Sequence, residues 1–134
     1  MPESLRIGLL THSVNPRGGV VHTLELAGAL HRLGHRVTVF APAQPGQAMF
    51  RPVAHELDLV PVHAIEGGLA DLVADRIEAF RYHLGARLAH ERFDVLHAHD
   101  GIGGNALADL VEAGLIDGFV RTVHHLDPFD DARL

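Results

Sequence analysis

The sequence predicts a doubly wound α/β domain. It should be a mostly parallel, Rossmann-like sheet of about five strands, in three-layer αβα order. Three observations carry this. Short aliphatic segments alternate with amphipathic helical ones along the chain. The first of them, Leu5 to Leu10, is apolar on both faces, as a central parallel strand covered by helices must be. Glycines cluster at two strand-to-helix turns, Gly18-Gly19 and Gly101, Gly103 and Gly104.

The elements follow in order. After the first strand, Val20 to Leu33 reads as a helix whose buried side is Val20, Leu24, Leu26, Ala27, Leu30 and Leu33. Gly34 is placed to end it as a left-handed cap. Arg36 to Ala41, rich in β-branched residues, reads as the second strand, stopped by Pro42 and Pro45-Gly46. Leu57 to Ile65 is a third strand, and Pro61 inside it favours a sheet edge. Gly67-Gly68 turns the chain into a long helix from about Leu69 to Glu91, with Val73, Ile77, Phe80, Leu84 and Leu88 at helical spacing. Phe93 to His99 is the fourth strand and Asn105 to Ala113 a short helix capped by Gly114. Phe119 to His124 is the fifth strand.

Composition excludes several classes. The 134 residues suffice for one domain, 1–134, with one core, and an apolar content of 47% makes disorder a poor reading. The formal net charge is -6 and no basic cluster appears, which argues against a nucleic-acid partner. With no cysteine, neither disulfides nor thiolate metal sites can form. No apolar run is long enough for a transmembrane segment, and Met1-Pro2-Glu3-Ser4 lacks the basic flank of a signal peptide. A soluble, cytoplasmic protein is therefore expected.

In a doubly wound sheet, ligands bind above the C-terminal strand ends where the strand order switches. The first and fourth strands are expected to flank that switch. Gly18 and Gly19 follow the first, His99-Asp100-Gly101 the fourth, and His124-His125 the fifth. The helix N-terminus after Gly18-Gly19 points backbone N–H groups and the positive dipole end at the rim, which suits a phosphate. A dinucleotide fingerprint does not fit: the glycines are adjacent, and Phe40-Ala41-Pro42 stands where an acid is needed. A P-loop needs a lysine, and the chain has none. His97, His99 and Asp100 offer metal-donor chemistry, but His97 and His99 share one face of a strand while Asp100 lies beyond it. Structural or substrate-contacting roles suit them better than a metal.

Four segments in register resemble one family. They are Gly18-Gly19-Val20-Val21-His22, Leu26-Ala27 through Gly34-His35, Asp94 through Asp100, and Thr122-Val123-His124. Together they are similar to the N-terminal half of a GT-B retaining glycosyltransferase, in the group of glycosyltransferase family 4 and the glycogen synthases. The resemblance implies transfer of a sugar from a nucleotide-sugar donor to an acceptor with retention, and it implies no cofactor. Gly18 and Gly19 would approach the donor, and His124 would reach the transferred sugar as the catalytic histidine. His99 and Asp100 would line the acceptor side, with His22 and His125 as further substrate-binding candidates. The family pairs two such domains, so this chain would be an incomplete acceptor-side domain lacking the C-terminal donor-binding domain, and inactive alone. An exposed apolar surface near Phe119 to Val123 and Phe129 would then favour homo-oligomers. Two other readings stay open: a stand-alone anion-binding domain without catalysis, and a small hydrolase or metalloenzyme built on His97, His99 and Asp100.

Overall fold

The computed structural model describes residues 3–123. The elements run β1 (Arg6–Leu10), α1 (Gly18–Arg32), β2 (Arg36–Ala43), β3 (Glu56–Pro61), α2 (Leu69–Leu88), β4 (Val95–Ala98), α3 (Gly101–Glu112) and β5 (Val120–Arg121). The five strands form one sheet in the order β3-β2-β1-β4-β5, and every pairing is parallel. The order reverses between β1 and β4, so the switch lies where the sequence expects it.

The sheet is buried on both faces because its strands carry apolar residues on both. Ile7, Leu9, Val37, Val39 and Ala41 pack against Val20, Leu24 and Ala27 of α1. Leu10, Phe40, Val60, Leu96 and Ala98 pack on the opposite face against Phe80 and Leu84 of α2 and Ala106, Leu107 and Leu110 of α3. This is the expected three-layer arrangement. Gly34 and Gly114 end α1 and α3 with φ of 95° and 76°, a region that other residues enter only under strain.

Four expectations are adjusted. Leu33 is 73% exposed rather than on the buried stripe of α1, because the helix ends at Arg32 and Leu33 turns outward as its C-cap. The strand β2 runs on through Pro42. Pro42 lies past Phe40, the last β2 residue paired with β1, so its missing N–H breaks no bond on that side. Both glycine turns lie inside the first turns of helices: α1 starts at Gly18 and α3 at Gly101. The third strand ends at Pro61, and β3 occupies the sheet edge as a proline-bearing strand should.

Candidate functional site

The C-terminal strand ends form a rim, and the two βα corners flanking the switch differ in kind. At the first corner no side chain caps α1, whose N-cap is Arg17. The first-turn N–H groups therefore project toward the rim. A Cβ placed on Gly18 would meet nothing within 4 Å, so this backbone is open to a ligand. At the second corner Asp100 is the N-cap of α3, and its Oδ1 accepts a hydrogen bond from Gly103 N–H at 2.8 Å. Gly103 and Gly104 are buried. A Cβ on Gly103 would lie 3.1 Å from Leu10 Cβ, and one on Gly104 would lie 3.2 Å from the Arg121 side chain.

On the α1 side of the sheet the structure gathers three histidines. His97 is on β4 and His99 just beyond it; their rings stack with centroids 4.2 Å apart, as residues two apart on one strand face can. His22, in α1, brings its ring to 5.7 Å from that of His99. His97 Nε2 is 2.6 Å from Thr122 Oγ1 beside β5. His99 is buried and His22 exposed. Asp100 does not join this row, because one carboxylate oxygen is held by α3 and the other faces His12, whose Nδ1 lies 3.6 Å away. Among the described residues no three of His, Asp and Glu are placed to hold a metal. His124 and His125, predicted at the end of the fifth strand, lie outside the described residues.

A cleft of about 500 Å³ opens at the same rim on the α2 side. Its walls include His12, Arg17, Gln44, Gln47 and Arg76, with Leu72 of α2 and Ile102 of α3. Arg76 is buried and held by Asp75 at 2.6 Å and by the His63 carbonyl at 3.1 Å. The sequence reading did not single out His12, Gln44, Gln47 or Arg76. The rule that found His99 and Asp100 would have found His12, which follows the apolar run of β1 after Thr11. Arg76 carried no such signal, being one helical position among many.

Fold and rim together define a doubly wound α/β domain whose switch point carries an uncapped, sterically open helix N-terminus. The sequence model of Glycosyltransferase Family 4 matches residues 16–134. The chain belongs to that family. It is 33% identical over 106 residues to phosphatidyl-myo-inositol mannosyltransferases of Mycobacterium tuberculosis and Mycobacterium bovis, a match covering 72% of this chain and 25% of theirs. The matched part is thus about a quarter of the length of these relatives. Two solved structures share the fold. The C-terminal domain of a hydrogenase from Pyrococcus furiosus aligns with a TM-score of 0.60 at 17% identity, over 91% of this chain and 93% of that one. The glycotransferase of kitacinnamycin aligns with a TM-score of 0.55 at 20% identity, over 90% of this chain and 30% of that one. Among the described residues no helix is long and apolar enough to cross a membrane.

Proposed function

We propose that this chain forms the acceptor-side part of a retaining GT-B glycosyltransferase in the cytoplasm. It would serve transfer of a sugar from a nucleotide-sugar donor to an acceptor, and would be inactive without a donor-binding domain. The observation that carries this is the uncapped, sterically open N-terminus of α1 at the switch point. There the helix dipole and free N–H groups stabilise negative charge on a departing phosphate, and the rest of the rim positions the acceptor. Gly18 and Gly19 act at the donor phosphates, with His99, His22 and Asp100 on the acceptor side and His124 and His125 near the transferred sugar. This chemistry calls for no cofactor. The mycobacterial relatives make a mannosyl donor and a phosphatidyl-inositol acceptor the first pair to try.

The test is a transfer assay on the full-length gene product and on residues 1–134 alone, with nucleotide-linked mannose and phosphatidyl-myo-inositol. Retained anomeric configuration in the product, with transfer by the long form only, is the expected result. Transfer by the chain alone removes the incomplete-domain reading. Phosphate binding by the chain without transfer by any form favours a stand-alone anion-binding domain. Val120 and Val123 are exposed at the β5 side, so we also expect the isolated chain to self-associate; a monomer by light scattering at high concentration would contradict that.

A further inference from the structure

His12 stands two residues after the end of β1 and lines the α2-side cleft. Its Nδ1 is 3.6 Å from Asp100 Oδ2, long for a hydrogen bond but close for a charge contact. The carboxylate cannot swing freely, because its other oxygen is fixed by the Gly103 N–H at 2.8 Å. Oδ2 is buried and has no hydrogen bond among the described residues, and the His12 ring is the polar group that faces it. A carboxylate on the Nδ1 side favours the proton on that nitrogen. Nε2 is then a hydrogen-bond acceptor, and it belongs to a ring that is about one-third exposed at the cleft. The cleft around it holds amide and guanidinium donors from Gln44, Gln47, Arg17 and Arg76, and among the described residues no carboxylate lines it. Such walls suit a hydroxyl-rich ligand.

We propose that His12 contacts the acceptor, its Nε2 taking a hydrogen bond from an acceptor hydroxyl in this cleft, and that Asp100 is a positioning residue that holds the His12 ring in the required tautomer. Asp100 acts through His12 and not on the substrate. The inference rests on the transferase reading above.

The experiment compares wild type, His12→Ala, His12→Gln, Asp100→Asn and the double variant His12→Ala/Asp100→Asn in the full-length gene product. Nucleotide-linked mannose is the donor probe and phosphatidyl-myo-inositol the acceptor probe. Asparagine keeps the cap on α3 while removing the charge that faces His12. His12→Ala should lower kcat/KM for the acceptor about tenfold, the order of one lost hydrogen bond, with donor KM within about twofold. His12→Gln, which keeps an acceptor oxygen, should recover part of this. Asp100→Asn should lower the same parameter about threefold, and the double variant should match His12→Ala alone, since coupled residues are not additive. In the full-length gene product, ¹⁵N shifts of the His12 ring should place the proton on Nδ1 in wild type and weaken that preference in Asp100→Asn. Wild-type transfer with His12→Ala within twofold overturns this inference and leaves the transferase reading standing. So do additive losses, or an Nε2-protonated His12 in wild type. No transfer by wild type with these probes overturns both.

Discussion

The two glycine-rich corners beside the switch look alike in sequence and do opposite things in the fold. At the α1 corner glycine gives access: the helix end is uncapped and the space above Gly18 is open. At the α3 corner glycine gives contact: Gly103 lets the helix close on Leu10 and Ala98, and Asp100 satisfies the helix end internally. One corner leaves its donors without a side-chain cap, and the other has one of them bound by Asp100. A helix N-terminus is therefore an anion site only where no neighbouring side chain has already capped it.

Replacing Gly103 would break the comparison most severely. Valine there drives a branched side chain into Leu10 and Ala98, and urea denaturation should show a loss of about 2–3 kcal/mol. Removing the cap comes next. Asp100→Ala should cost about 1 kcal/mol in the same assay, while Asp100→Asn costs little because its amide oxygen still accepts from Gly103.

A smaller effect belongs to the opposite, N-terminal end of the sheet, where charges are paired with one another. Arg87 binds Glu56 at 2.7 Å, Asp58 at 2.8 Å and Glu91 at 2.8 Å, and lies 5.3 Å from the ring centroids of both Phe40 and Phe93. Arg6 adds a second ion pair to Glu91 at 3.0 Å. Burial pushes the Glu56 carboxyl up, but hydrogen bonds from Arg87 and Thr38 outweigh it and leave it below the usual range. Hydrogen bonds from Arg87 and Arg6 lower Glu91. Folded values depressed in this way stabilise the protein above the unfolded carboxylate pKa of about 4.3, and the contribution is lost as pH falls through the folded values. Arg87→Met should thus be less stable than wild type near neutrality, and the gap should close as pH falls through the depressed carboxylate values, read by denaturation across pH. A constant gap would mean that the ion network does not set acid stability.

Gly18→Ala should have the smallest effect on folding, within about 0.5 kcal/mol, since its Cβ meets nothing. Under the proposed function it should still cut sugar transfer by the full-length protein, as the methyl group stands over the donor phosphates. Equal activity would remove the distinction between the two corners.

The pattern of apolar residues determined the alternating elements and the central place of β1, because each follows from which faces of a segment must be dry, and Pro61 determined the edge place of β3, because a proline lacks a ladder donor. Left-handed caps at Gly34 and Gly114 were legible too, since only glycine adopts that φ without strain. The start of α2 at Leu69 was legible as well, but the starts of α1 and α3 were not. A glycine pair reads as a loop until neighbouring strands show whether the helix has room to begin there. Tertiary structure alone decided that Asp100 faces His12 and Gly103 rather than joining His97 and His99. It also decided that Arg76 is buried at a cleft and that Arg87 gathers three carboxylates. Those partners are distant in the chain, and sequence spacing constrains only neighbours along one strand or one helix face. The direction of a side chain at a strand end is set by what packs beside it.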